Sequence, residues 1–414
     1  MTSRRTAVLY ALALAVLLAG SLAAGCSSDG ETVEDVDVTV DVAVDAGPSD
    51  DAERTDVEVP TRQRQFRMSI SGPVQGLGTP WNTQVWEEVA SRSDLVTITL
   101  EGGLPWAEIL AQEPLPAEYE SELALLAERT LATGLSVLLI VDPLNEGRTG
   151  FVSDALGRED VMSTIAFDNA DFGAGYQRFC EDLITRFTPT FFVPIVAHNW
   201  YGEQSPDARE GVLAWYTTLF SGLTRQPVAV FPVWDFWTLQ ATIRNNDTEQ
   251  LNFITRYDPL QALFGLTLYP ALEGIGLDAL TAEDFTRLDK NDRLANPVTT
   301  RSLALVGTSF PAEGFTVDGN DFASSENSQF NFIALILELA DAQRWELVTW
   351  RVGIDPDLWL ADPCTGAIAR CDEEAATARY GALRNNGLLD DQGVARAAST
   401  LWQDYFDRML LGGQ

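Results

Sequence analysis

Carboxylates, an amide, one imidazole and many aromatic rings recur at the ends of eight short apolar runs. They are Glu101, Trp106, Asp142, His198, Asn199, Trp200, Tyr201, Trp234, Asp235, Trp237, Tyr269, Phe310, Trp350 and Asp355. Aromatic rings stack on the apolar faces of sugars, while carboxylates and amides hydrogen-bond to hydroxyls. As a set these residues predict a carbohydrate cleft; taken singly, each tryptophan serves equally well as a plug of the core. His198 is the only histidine, which excludes multi-histidine zinc sites. The Gly-x-Ser-x-Gly turn of a serine nucleophile is absent, so His198 reads as a hydrogen-bonding cleft residue. No cofactor is expected.

The runs that must position these side chains are RMSIS, LVTITLEGGLPW, LSVLLIVDP, FFVPIVAHNWY, PVAVFPVWDFW, LFGLTLYP, SLALVGTSFP and ELVTWRVGID. Near-continuous apolar strands suit a parallel sheet covered on both faces. Helical patterns are expected over 117–133, 173–187, 207–223, 282–289, 328–342 and 375–384. In the first of these Leu123, Leu126, Ala127 and Leu131 share a face; Asn327 or Ser328 caps the fifth. Strands alternating with helices predict a (β/α)8 TIM barrel, whose chemistry sits at the C-terminal ends of its strands. A doubly wound open sheet is the rival, but SISGPVQGLG lacks the dinucleotide spacing. The long loop Pro143–Asp171 is a candidate cleft wall.

The N-terminus reads as something other than fold. Arg4 and Arg5 precede an apolar run that ends in Leu22-Ala23-Ala24-Gly25-Cys26, the pattern of a secretory signal. Its end resembles a bacterial lipoprotein lipobox, which implies cleavage after residue 25 and a lipid on Cys26. Ser27 after that cysteine favours the outer membrane. Residues 26–63 hold twelve Asp and Glu against Arg54 and Arg62, with no aromatic residue among them. Such a segment cannot offset its ordering entropy by burial and is expected to be a solvated tether. Calcium binding by these aspartates is conceivable, though no glycine-centred loop supports it. The expected organisation is 1–25 signal, 26–63 tether and 64–414 barrel.

The chain of 414 residues is 46% hydrophobic, enough for one large core, and carries a net charge of −34. The signal contributes +2 and residues 27–60 −11, so −25 remains for residues 61–414. That balance argues against nucleic acid, which needs a basic footprint. Expected partners are a polysaccharide and, through Cys26, a membrane; the protein is expected to be a monomer. Cys364 and Cys371 lie in DPCTGAIARCD and predict a local disulfide in an exported protein. Cys180 is expected to be a buried free thiol.

The segments LEGGLPW, FFVPIVAHNWYGEQSPD, LTLYP and ALVGTSFPAEGF, with Trp350 on the eighth strand, resemble the glycoside hydrolase clan of (β/α)8 barrels typified by endo-β-1,4-galactanase. The resemblance spans about residues 66–355. It implies a glutamate acid at the end of strand four and a glutamate nucleophile at the end of strand seven. At strand seven, Gly307-Thr308-Ser309-Phe310-Pro311 stands where Glu-Thr-Gly-aromatic-Pro is expected, which puts Gly307 at the nucleophile position. At strand four the acid position falls on Ala197, His198 or Asn199. Hydrolysis ordinarily needs two carboxyl groups flanking the bond. Three readings follow: a sugar-binding barrel without the catalytic pair, an active hydrolase with relocated carboxylates such as Glu203 and Glu313, or a structural envelope protein with a vestigial cleft.

Overall fold

The computed structural model describes residues 63–71, 83–100, 103–145, 147–204, 208–277, 280–281, 299–317, 320–355 and 385–411. Cys26, Glu101, Cys364, Cys371 and the helices expected over 282–289 and 375–384 lie outside the described residues. Eight parallel strands form the barrel: β1 Arg67–Ile70, β2 Leu95–Leu100, β3 Ser136–Val141, β4 Phe191–Val193, β5 Ala229–Val230 and Val233–Asp235, β6 Phe264–Leu268, β7 Leu303–Thr308 and β8 Leu347–Trp350. The barrel closes where β8 pairs with β1, Trp350 opposite Ile70. A bridge between Ser71 and Thr97 joins β1 to β2, and one between Val196 and Val233 joins β4 to β5. The short β4 and the divided β5 have one cause: Pro194 and Pro232 have no N–H to give to a ladder.

Alternation sorts each strand into two faces. Leu138, Ile140, Phe191, Val193, Phe231, Val233, Ala304, Val306 and Leu347 fill the barrel interior. Their neighbours Leu139, Phe192, Trp234, Leu305, Val348 and Trp350 point outward into the helical layer. One sector of the interior is polar instead. There the hydroxyls of Ser69 (β1) and Thr97 (β2) are 2.7 Å apart, and those of Thr97 and Thr349 (β8) 3.1 Å apart. β7 bulges at Val306–Gly307: Thr267 of β6 pairs with Gly307 where the preceding register would give Val306, and the pairing to β8 shifts at the same place. A bulge turns two successive side chains toward one face, so Gly307 looks inward beside Val306.

The helices follow their caps. Asn169 accepts from Asp171 N at 2.8 Å and starts Ala170–Phe187 three residues before the expected point. The cap of Glu326–Gln343 is Ser325, which accepts from Ser328 N at 3.2 Å, and not Asn327 or Ser328. In Ala117–Ala132 the buried face is Tyr119, Leu123, Leu126, Ala127 and Thr130. Leu131 is 46% exposed, a correction that the i+3/i+4 spacing from Leu123 explains. Cys180 is a buried free thiol, as expected.

The loop after β3 is tied down by Asp154, which accepts from Trp106 N, Leu156 N and Arg158, while Arg158 also grips Glu108. Its Phe151 and Phe167 join Trp106, Phe172, Tyr176 and Trp215 in one aromatic cluster. Chain entry is anchored to chain exit: Gln63–Arg64 pairs with Met409–Leu410, and the buried Arg64 guanidinium holds Asp94 at 2.6 and 2.7 Å.

Candidate functional site

The ends of the strands carry three kinds of side chain. The first kind is structural despite its position. Trp106 is fully buried, its indole N–H donating to Val152 O at 2.8 Å. Trp350 shares the outward face of Val348 and donates to Asn386 O at 2.9 Å. Tyr201 is buried against Phe167. These three cannot stack on a ligand, which corrects the expectation for each. His198 is likewise sealed, 4.0 Å from the Trp234 ring and 4.7 Å from Tyr257, with Nδ1 3.2 Å from Val233 O. Burial pushes its pKa down to about 3. Asn199 is buried too: its amide donates to Asp235 O at 2.9 Å and accepts from Asp235 N at 2.8 Å, lacing β4 to β5. Neither faces a cleft, contrary to the sequence reading.

The second kind is polar and inward. Asp142, two residues past Ile140, pairs with Arg148 and accepts from Leu144 N at 3.2 Å and Val196 N at 3.3 Å. Burial raises its carboxyl pKa against the opposing pull of Arg148. Asp235 caps the helix Phe236–Arg244 by accepting from Thr238 N at 2.8 Å. Arg351, one residue past Trp350, turns inward and reaches Thr99 Oγ1 on β2 at 3.1 Å. Arg148 and Arg351 were not singled out from sequence. The signal for Arg351 was the two-residue period: Val348 and Trp350 share one face, Thr349 and Arg351 the other.

The third kind is aromatic and still partly exposed: Trp200, Trp237 and Tyr269. Tyr269 continues the inward series Gly265, Thr267 on β6 and lies against Gly307. A Cβ built on Gly307 would overlap the Tyr269 hydroxyl and lie 3.2 Å from the ring carbon that bears it. The position expected to hold a nucleophile is therefore covered by a phenol from the neighbouring strand. At the end of β4, Ala197 is buried and has a left-handed backbone, φ 50°, unusual for a residue with a Cβ.

Glu203 lies exposed on the helix His198–Gln204, and Glu313 is exposed in the loop after β7. Among the described residues the carboxylates at the β3 and β5 ends, Asp142 and Asp235, already accept backbone N–H groups. None stands at residue 197 or 307.

No protein-family model matches the chain, and no curated protein matches it. Solved structures do. A GH5_18 protein from Bifidobacterium longum subsp. longum, in complex with Manb1-4GlcNAc, is 12% identical, with 83% of this chain and 77% of that one covered and a TM-score of 0.57. A GH5_18 protein from Streptomyces cattleya with the same ligand is 15% identical over 83% and 79%, TM-score 0.55. A fungal beta-1,4-galactanase is 13% identical over 84% and 100%, TM-score 0.51. The fold is that of the TIM-barrel glycoside hydrolases.

Two expectations follow. Gly307→Ala should cost about 1–3 kcal/mol by overpacking. Tyr269→Phe should relieve much of that cost, with a coupling of about 1 kcal/mol in a denaturant-unfolding double-mutant cycle; additive effects would refute the contact. For His198 the folded pKa of about 3 lies below the unfolded 6.5, so only the unfolded chain takes up the proton between them. Its contribution is complete above pH 6.5 and is lost as pH falls toward 3, about 2 kcal/mol between pH 7 and pH 5. Asp355, pushed up to about 6 by burial, acts with the opposite sign between 3.8 and 6. Comparing urea unfolding of wild type and His198→Gln isolates the histidine: the variant should lack this part of the slope, and an identical slope would exclude the assignment.

Proposed function

We propose that the protein is a cell-surface lipoprotein whose glycoside-hydrolase-like barrel binds carbohydrate and does not hydrolyse it by the two-glutamate route. The observation that carries this reading is the Gly307–Tyr269 contact at the end of β7, together with Ala197 at the end of β4. A glycine cannot form a glycosyl-enzyme and an alanine cannot protonate a leaving group. The carbohydrate part draws on the three partly exposed aromatics and on a fold shared with proteins solved with Manb1-4GlcNAc. The rival, an active hydrolase, would use relocated carboxylates, such as Glu203 and Glu313 from exposed positions on a helix and a loop or a pair drawn from Glu101, Asp142, Asp235 and Asp355. A structural envelope protein with a vestigial cleft remains the second rival; the partial exposure of Trp200, Trp237 and Tyr269 favours the binder over it.

The polysaccharide-binding form is predicted to retain ligand on a glycan array and to release no reducing sugar. Trp200→Ala and Trp237→Ala should each weaken binding by about tenfold, and unchanged affinity in both would count against the cleft. Product release that disappears in Glu203→Gln or Glu313→Gln would establish the hydrolase instead.

The localisation part rests on the signal, Cys26 and Ser27. Cells fed a clickable palmitate analogue should label the protein and hold it in the outer-membrane fraction. Cys26→Ala should abolish both label and anchoring; a labelled variant would refute Cys26 as the lipid site.

A further inference from the structure

Resting on the lipoprotein part of the proposed function, we infer that the base of the barrel, the face opposite the mouth, is a lipid-facing surface that meets anionic headgroups and turns the mouth away from the membrane. The eight parallel strands all begin at this face, so the helix-to-strand connections lie there. The chain enters the barrel there too, where Gln63–Arg64 pairs with Met409–Leu410 ahead of β1.

Charge is divided between the two ends. The connections into the strands, residues 63–67, 92–94, 133–135, 188–190, 224–228, 256–263, 299–302, 344–346 and 407–411, hold eight arginines and four carboxylates, a net +4. Residues 61–414 as a whole carry −25, so the rest of the domain is more acidic still. Helix C-termini favour cations, and several of these arginines pair with carboxylates: Arg64 with Asp94, Arg67 with Glu346, Arg256 with Glu210 and Arg408 with Asp404. Arg129, Arg225 and Arg344 differ from them. Each is exposed, with no ion pair among the described residues. They precede β3, β5 and β8, two, three and three strands apart around the barrel. Points spread in this way around a ring touch one plane together only when the barrel axis stands upright on it.

Apolar side chains mark the same face. Five large hydrophobic side chains are exposed among the described residues, and Leu131 (46%), Met409 (51%) and Leu411 (44%) are at the base. Helix dipoles do not account for these three. Exposed apolar groups beside arginines suit the headgroup boundary of a bilayer, whereas a soluble polyanion would meet the arginines and gain nothing from leucine and methionine. The magnitudes favour orientation over recruitment. Each basic side chain near an anionic leaflet favours that position by about fivefold, too little in sum to hold so acidic a protein without an anchor. β2 and β3 have six residues each, which puts the mouth about 20 Å beyond the base. Surface charge is screened over about 8 Å at physiological ionic strength, so the base feels the leaflet and the mouth does not.

The test uses the full-length protein with its lipid attached, reconstituted in vesicles of phosphatidylcholine alone or mixed with phosphatidylglycerol. A fluorophore is attached at Thr190→Cys, at the base, or at Thr149→Cys, in the loop after β3; both residues are exposed. A lipid spin-labelled on its headgroup quenches it. The expected result is quenching several-fold stronger at residue 190 than at residue 149 in the anionic vesicles. The difference should shrink in phosphatidylcholine alone and in about 1 M salt, where the screening length falls to about 3 Å. Glutamine at residues 129, 225 and 344 together should remove it, and lysine at the same three should keep it, with thermal melts checking the fold of each. Equal quenching at the two sites, or a difference that the glutamine variant leaves intact, overturns the lipid-facing base and leaves the lipoprotein reading standing. A Cys26→Ala protein that dimerises in solution, and that Met409→Ser makes monomeric, assigns the base to a second copy and overturns the lipid. Absence of the palmitate label from the wild type overturns the lipoprotein reading, and this surface with it.

Discussion

Every strand of the barrel repeats with a period of two, and one residue of offset decides whether an end residue meets the mouth or the helical layer. Trp350 and Arg351 make the point within a single dipeptide. The larger and more sugar-like side chain follows Val348 outward and is buried against Phe332 and Asn386. The arginine follows Thr349 inward. Trp234 and Asp235 divide in the same way on β5, the ring packing on His198 and Phe264 while the carboxylate stays at the mouth. The composition of the mouth is therefore set by strand parity and not by which residues are chemically suggestive.

That constraint separates what was legible in the sequence from what was not. The eight strands were readable because each is a short apolar run of β-branched and aromatic residues, and the order of strands and helices then restricts the architecture. The Asp142 position was readable as well, since it continues the inward series Leu138, Ile140. Trp106, His198 and Asn199 stand near strand ends in the sequence yet are buried away from the cleft, because nearness along the chain does not fix the direction of a side chain. Trp106 begins a short helix whose N-terminal turn is held by Asp154, forty-eight residues on; a contact of that range leaves no local trace. The inward turn of Gly307 depends on a bulge that only the pairing with β6 and β8 defines.

The bulge also gives residue 307, where the sequence resemblance leads one to expect a nucleophile, its physical meaning. In a regular strand Val306 and Gly307 would face opposite sides, and a side chain at 307 would enter the helical layer. With the bulge, residue 307 faces Thr267 and Tyr269, so its size is limited by what β6 places opposite. A glycine there and a tyrosine across from it are mutually fitted: the phenol occupies room that a larger residue would need. The left-handed backbone at Ala197 shows a comparable accommodation at the end of β4. There the chain turns from Pro194 and Ile195 into the helix that buries His198 and Asn199.

The alanine at residue 197 and the glycine at residue 307 bear on the electrostatics of the mouth as much as on its chemistry. A hydrolase must hold negative charge at the ends of β4 and β7, and a buried guanidinium nearby would pair with that charge and lower its basicity. With alanine at 197 and glycine at 307 neither position brings a charge to the mouth, while Arg351 of β8 reaches the Thr99 hydroxyl of β2. The polar sector runs from Ser69 through Thr97 and Thr349 inside the barrel to Thr99 at its mouth. Hydroxyls on adjacent strands therefore give this sector hydrogen-bonding groups where the rest of the interior is apolar.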